Sequence, residues 1–381
     1  MDRLLQIVPK IPGGLDGVGD YALVIARQLR AKFGCETVFA IPIKAFVLPP
    51  GWSSPSVEGF DLVALEHLLK PPFPEFDEPD FKHVLLHYVN YGFQKRGVPF
   101  SLLSILRALR ERSRGRFVTV FHELFASGPP WSSAFWLQPL QKDLAKSVAQ
   151  LSDACIVSSD NFRRELMRMV SHAEIALHPV PSSVGEPSLS ADQIANRDPH
   201  HWAIFGGTVL VERSLRSLRQ LMPRIPDSIA PNKLSVLGGV ENPATRSLLV
   251  DLGVESDYRP QIAAAEASEI LKSCSFGWFN YFHRPNIETS VILKSSAFAS
   301  ACAHAVIPVL PHRGSPIAID GERLPGPYFI DFDCAEIPAS EARGKIAANI
   351  CDWYQRHASS EHLVRGIAEK FGLNEKDGTD D

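Results

Sequence analysis

The sequence predicts an α/β protein built from two doubly wound halves. Three observations carry that expectation. Short apolar runs alternate with amphipathic stretches along nearly the whole chain, the pattern of parallel strands joined by helices on both faces of a sheet. The alternation breaks once, in the polar, proline-bearing stretch PVPSSVGEPSLSADQIANRDPH from Pro179 to His200. The length, 381 residues, is too great for one ordinary core, so two domains are the default. The predicted division is a first domain over 1–180, a linker over 181–200, a second domain over 201–371 and a disordered tail over 372–381.

The first half opens with a strand at Leu4 to Val8 and a glycine loop, Gly13-Gly14-Leu15-Asp16-Gly17-Val18-Gly19. Asp20 then caps a helix to about Phe33, with Ala22, Ile25, Ala26 and Leu29 on one face. Strands follow at Glu36 to Ile41, His83 to His87, Phe117 to Phe121 and Ala154 to Ser158, while residues 42–60 read as irregular. In the second half, strands are expected at Trp202 to Phe205, Leu234 to Leu237, Phe276 to Tyr281, Val306 to Leu310 and Pro327 to Ile330. Helices are expected at Arg213 to Met222 and, by periodicity, over Glu341 to Phe371.

Bulk composition narrows the function classes. Charged residues make 22% and hydrophobic ones 45%, an ordinary globular balance. A net charge of −4 argues against a general nucleic-acid binder. The six cysteines lie apart with no C-x-x-C pair, which suits buried thiols in a reducing compartment rather than a disulfide frame or a zinc site. The apolar run near the N-terminus is too short for a signal peptide, and no run reaches a membrane span. A soluble cytoplasmic protein is expected. The basic, leucine-bearing stretch from Gln94 to Arg116 fits first a packed helix with a solvated face, with a weak membrane-surface association as the lesser alternative.

The stretch FGWFNYFHRPNIETSVILKSSAFASACAHAVIPVL, Phe276 to Leu310, reads as strand, loop, helix and strand. Its helix is expected to start at Lys294-Ser295-Ser296. The first amides of a helix lack internal partners and favour an anion, and a lysine with two serines there suits a diphosphate. The same serines also serve as a plain helix cap. Phe205-Gly206-Gly207-Thr208 ends the first strand of the second half, with Arg213 near the start of the next helix. The glycines permit close backbone approach and the arginine suits phosphate; an ordinary turn with a surface arginine accounts for them as well.

Gly17-Val18-Gly19-Asp20-Tyr21-Ala22 matches the dinucleotide fingerprint G-x-G-x-x-G/A, but Pro9 to Pro12 separate it from its strand, and no acid ends the second strand. His122-Glu123 follows the strand FVTVF at the position where such sheets expose residues to ligand. Ala126 stands where a zinc motif of the H-E-x-x-H type needs its second histidine. The aromatic loop from Ser127 to Trp136 suits stacking against a sugar ring.

With these residues assembled, nearly the whole chain resembles a retaining nucleotide-sugar glycosyltransferase of the GT-B fold, family 4 type. The resemblance rests on the glycine loop Gly13 to Gly19, His122 at a strand end, Phe205 to Thr208 opening the second half, and the helix and strand before Pro308. It implies two Rossmann-like domains facing a cleft. It also implies metal-independent hexosyl transfer, with retention, from a nucleotide diphosphate sugar to a hydroxyl acceptor, in glycan or glycoconjugate biosynthesis, with no cofactor beyond the donor. His122, Arg213 and Lys294 take the catalytic roles. Gly206, Gly207, Thr208, Glu288, Ser295 and Ser296 bind donor, and Gly14, Gly17, Gly19 and Glu123 form the acceptor or phosphate loop; no metal ligand is assigned. The departures are Leu293 and Ala301 where the family commonly has two glutamates, and Thr208 where it has a basic residue. Two alternatives therefore stay beside the transferase: a nucleotide-sugar-binding protein without turnover, and an NAD(P)-dependent oxidoreductase.

Overall fold

The structure, a computed structural model, describes residues 3–11, 17–45, 56–69, 81–171, 173–282, 287–312, 314–326, 328–331, 333, 335 and 342–376. The chain divides into two units. The first holds Met1–His178 with Ser360–Asp381, and the second holds Pro179–Ser359.

The first unit is built from β1 (Arg3–Ile7), α1 (Gly17–Phe33), β2 (Glu36–Ile41), β3 (Ser56–Val57), β4 (Phe60–Ala64), β5 (His83–Tyr88), α2 (Asn90–Phe93), α3 (Phe100–Arg112), β6 (Phe117–Phe121), α4 (Ser133–Leu151), β7 (Ala154–Val157), α5 (Asp160–Met169) and β8 (Glu174–Leu177). Its sheet runs β3-β4-β2-β1-β5-β6-β7-β8, parallel except for the β3–β4 pair. β1 registers Leu4 against Thr37 on one side and against His83 on the other. The chain therefore winds outward from β1 through β2 to β4, then returns to β5 on β1's opposite edge. β5 and β6 are buried along their whole length, as in a parallel sheet covered on both faces. Leu86, Leu106, Phe117 and Leu144 lie in the core on one side of the sheet, and Ala22, Ala26, Phe39 and Leu62 form a second cluster.

The second unit is built from α6 (Ala191–Ala195), β9 (His201–Phe205), α7 (Thr208–Leu221), β10 (Lys233–Leu237), α8 (Pro243–Leu252), β11 (Glu255–Arg259), α9 (Ala264–Leu271), β12 (Phe276–Trp278), α10 (Ser296–Ala303), β13 (Ile307–Leu310), β14 (Ala318–Ile319), β15 (Glu322–Arg323), β16 (Tyr328–Phe329) and α11 (Arg343–His357). Its sheet, β11-β10-β9-β12-β13-β16, is parallel throughout. The winding repeats: outward from β9 through β10 to β11, then back to β12 on β9's other edge. The chain then closes with α12 (Ser360–Phe371).

Several expectations need correction. α1 begins at Gly17, so Gly17 to Gly19 form its first turn rather than a loop, and Asp20 lies inside the helix rather than at its cap. The supposed linker contains α6, whose Ser190 and Gln193 form a reciprocal capping box. The second domain does not extend to residue 371. Lys32 pairs with Glu361 at 2.7 Å, Lys370 with Glu174 at 2.6 Å, and the Phe371 ring meets His83, so α12 belongs to the first unit. Residues 372–376 of the expected disordered tail are placed, the Lys376 amide donating to the Lys32 carbonyl; residues 377–381 lie outside the described residues. β4 falls at the end of the stretch read as irregular, and β8 and β11 did not stand out in the sequence.

Ile367 of α12 is fully buried. Ile367→Ala is expected to destabilise the chain by about 2–5 kcal/mol, because a buried side chain is replaced by a partly unfilled cavity. Urea unfolding checks this, and a surface-like loss of a few tenths of a kcal/mol would contradict the docking of α12.

Candidate functional site

In an open parallel sheet, ligands bind beyond the carboxyl ends of the strands, at the point where the winding changes direction. For the second unit that point lies between β9 and β12, and a pocket of about 740 Å³ stands there. Gly206, Gly207, Thr208, Val209, Leu210 and Arg213 line it from the end of β9 and the start of α7. Tyr281 enters from beyond β12. Val291, Lys294, Ser295, Ser296 and Ala297 enter from the six-residue 3₁₀ segment Thr289–Lys294 and the start of α10.

The geometry of the glycine turn follows from steric limits. Gly206 has φ +148°, a conformation L side chains rarely adopt, and a Cβ there would stand 2.6 Å from Leu210 Cδ2. Gly207 occupies the N-cap of α7 with φ −71° and ψ 162°, and without a side chain it caps nothing. Thr208 turns away from the helix start, its Oγ1 accepting a hydrogen bond from the Val240 amide at 2.9 Å. The opening amides of a 14-residue helix thus face the pocket with no side-chain acceptor, at the positive end of the helix dipole. Arg213, less than two turns further on, adds a full positive charge to the same wall.

The opposite wall is arranged differently from expectation. Lys294 ends the 3₁₀ segment, Ser295 is the N-cap, and α10 itself starts at Ser296. The Ser295 hydroxyl accepts from the Phe298 amide at 3.1 Å and is also bonded to the Tyr281 hydroxyl, so the cap reading holds for Ser295. Burial pushes the Tyr281 phenol up to about 12. Glu288 is exposed and does not line the pocket. Leu293 and Ala301 are buried. No carboxylate is among the described residues lining this pocket.

The corresponding point in the first unit lies between β1 and β5. Gln6 of β1 meets His87 of β5 at 3.0 Å, and His87 meets His122, just past β6, at 3.2 Å. Tyr21 of α1 packs edge-on against both imidazoles, its ring centroid 4.9 Å from that of His122. The Gln6 amide nitrogen donates to Thr37 Oγ1 at 3.4 Å, which leaves its carbonyl to accept from His87 Nε2–H. A neutral His87 then accepts at Nδ1, and His122 Nε2–H donates. Burial holds His87 well below the ordinary imidazole range, and the adjacent His122 acts in the same direction. Glu123 points to solvent. Gly17 and Gly19 belong to α1, and Gly14 lies outside the described residues.

Reading the sequence singled out the residues that form both pocket walls in the second unit, but not Tyr281, Val209, Leu210, Val291 or Ala297. Gly238 and Gly239 also went unread: a Cβ at Gly238 would stand 2.6 Å from the Gly206 carbonyl oxygen, so the second glycine pair sustains the first. The signal was a Gly-Gly pair at the end of the adjacent strand. In the first unit, His122 stood out while Gln6, His87 and Tyr21 did not.

No protein-family model matches the sequence, and no curated protein sequence matches it. Solved structures match over the full length. A structure described as alpha-glucosyltransferase (AGT) in complex with UDP has a TM-score of 0.59 at 12% identity, covering 98% of this chain and 100% of that one. The chain has the GT-B fold. A structure described as trehalose-6-phosphate from E. coli bound with UDP-2-fluoro glucose gives a TM-score of 0.56 at 10% identity, covering 98% and 100%. The alpha,alpha-trehalose 6-phosphate synthase from Burkholderia multivorans gives 0.57 at 12% identity, covering 98% and 96%. At these identities the likeness establishes the GT-B architecture of two Rossmann-like domains.

The buried imidazoles fix the direction of one pH effect. His87 is held well below 6.5, and burial holds His304 of the second unit at about 4. Rings freed by unfolding take up protons near 6.5, whereas the folded ones resist. This contribution to stability is complete above the unfolded value and is lost as pH falls through that value toward the folded ones. Urea unfolding at about pH 7 and about pH 5 is expected to show the loss, and His87→Gln should reduce the difference. Equal stability at both pH values would contradict the assignment.

Proposed function

We propose that this protein is a glycosyltransferase that moves a hexosyl group from a nucleoside diphosphate donor to a hydroxyl acceptor, with retention and without a metal ion. One observation carries the reading: an uncapped helix start, Arg213 and Lys294 line one pocket at the winding reversal of the second unit. Its size is within the range of small-molecule sites, and its chemistry is that of a diphosphate cradle. The structural neighbours described with UDP and UDP-2-fluoro glucose support this reading and make UDP-sugars the first donors to test.

In this proposal the bond between the anomeric carbon and the diphosphate oxygen breaks, and its electron pair leaves with the diphosphate. Arg213, Lys294 and the first amides of α7 stabilise the charge that develops there; one well-placed donor in such a site is worth about 3 kcal/mol. The acceptor oxygen forms the new bond to the anomeric carbon, and its proton passes to the departing phosphate. Absence of a carboxylate from the described lining fits a route without a covalent glycosyl-enzyme. His122, held by His87 and packed against Tyr21, orients donor sugar or acceptor. The buried Leu293 and Ala301 favour a second reading, a nucleotide-sugar-binding protein without turnover.

Calorimetry with UDP, GDP, ADP and NAD(P), followed by donor hydrolysis or transfer assays, tests these readings. A nucleoside diphosphate is expected to bind, and Lys294→Ala to weaken it by about tenfold or more, the scale of one charge-assisted hydrogen bond, with His122→Ala having a smaller effect. Equal affinities in the two variants would refute the assigned roles. Binding of NAD(P) alone would favour an oxidoreductase, and binding without hydrolysis or transfer would leave the non-catalytic reading.

A further inference from the structure

We infer that His312 is a positioning residue for the Lys294 wall of the pocket and through that wall sets affinity for the nucleoside diphosphate; the inference rests on the diphosphate reading above. The wall depends on a short piece of chain. Tyr281 lines the pocket, and Phe282 follows it directly. The Phe282 amide donates to Asn280 Oδ1 at 3.1 Å, and Asn280 is itself held by Ser214 of α7. Ile287 lies two residues before the 3₁₀ segment Thr289–Lys294, which carries Val291 and Lys294 into the pocket. His312, just beyond β13, meets both places. Its ring lies parallel to that of Phe282, with centroids 4.1 Å apart and planes 6° apart. The Ile287 backbone faces the same imidazole and favours its charged form, as a carbonyl accepting from a ring N–H does.

The same strand exit grips the 3₁₀ segment a second time. Gly314 follows His312 by two residues, and a Cβ there would stand 2.1 Å from Thr289 Oγ1. Thr289 is buried and opens the segment. At the segment's other end Ile292 and Leu293 are buried, and the Leu293 carbonyl accepts from the Val180 amide at 2.9 Å. Lys294 therefore leaves a backbone fixed on both sides, and His312 supplies one of the two fixings. His312 is itself held by β13, its amide donating to the Leu310 carbonyl at 2.8 Å. Burial holds its imidazole below the ordinary range, with Asp331 acting in the opposite direction. At neutral pH the stack is therefore a contact between two uncharged rings, and packing rather than charge transmits its effect. His312, Phe282 and Gly314 are not among the described residues lining the pocket, so their influence on a nucleotide passes through Tyr281 and Lys294.

Calorimetry of the full chain with UDP, GDP and ADP, together with hydrogen exchange of the amides from Val291 to Ser295, tests the inference. His312→Ala should weaken the diphosphate by about three- to tenfold, no more than Lys294→Ala does, and should speed exchange in that stretch. His312→Phe keeps a ring on Phe282 and should restore both. In a Lys294→Ala background the further change His312→Ala should weaken binding by less than about twofold, because an effect carried by Lys294 disappears with it. A purely structural loss would weaken both backgrounds alike. Equal effects in the two backgrounds therefore overturn the proposal, as do unchanged exchange in His312→Ala or failure of His312→Phe to restore binding. Wild-type protein that binds none of the three diphosphates removes the diphosphate reading and this inference with it. Binding that is undiminished in His312→Ala removes this inference alone.

Discussion

Gly207 stands at a helix N-cap, where serine, threonine, aspartate or asparagine is favoured because its side chain satisfies an opening amide. Leaving that position bare forgoes a side-chain cap worth about a few tenths of a kcal/mol over glycine, and it leaves an electropositive end open to solvent. The rest of the second unit's site is arranged around that opening. Gly206 must be glycine to make the turn, and Gly238 must be glycine for β10's end to pass the Gly206 carbonyl. Trp278 Nε1 donates to Ser217 Oγ at 2.9 Å, and the Asn280 amide donates to Ser214 Oγ at 3.1 Å, tying the chain beyond β12 to the buried face of α7. Tyr281 follows directly and ties that chain to Ser295. The two walls are therefore one hydrogen-bonded assembly, and the cationic side chains Arg213 and Lys294 are added to it.

The first unit uses the same winding to a different end. Its reversal point holds, beside the first turns of α1, a line of polar groups, Thr37, Gln6, His87 and His122, with Tyr21 against the rings. Buried polar groups need partners, and here each has one within the line, so the arrangement fixes ring orientation rather than storing charge.

Much of this was legible in the sequence because parallel strands buried on both faces read as continuous apolar runs; β1, β5, β6, β7 and β9 do so. β11 did not, because ESDYR is a polar edge strand, and β8, also at an edge, is not fully buried. The glycine pair at Gly206 and the lysine at Lys294 marked both pocket walls because glycine and charge carry local meaning. Tyr281 and His87 resembled core residues, since their roles come from neighbours distant in the chain. The return of α12 to the first unit rests on contacts with α1, Glu174 and His83, and no local pattern announces such contacts. The start of α10 was displaced because a lysine and two serines read as one helix opening, whereas Lys294 closes a separate 3₁₀ turn.

The measurement that bears most directly on this account is UDP binding and thermal stability of Gly207→Asp. A side chain fits there without a clash, since no heavy atom lies within 4 Å of the position a Cβ would take. The carboxylate should cap α7 and stabilise the fold by a few tenths of a kcal/mol or more. It should also lower UDP affinity by about a hundredfold, because like charges placed together cost several kcal/mol. A variant as stable as the wild type or more so, with UDP binding lost, is the predicted result; undiminished UDP affinity in a folded variant would contradict the diphosphate cradle.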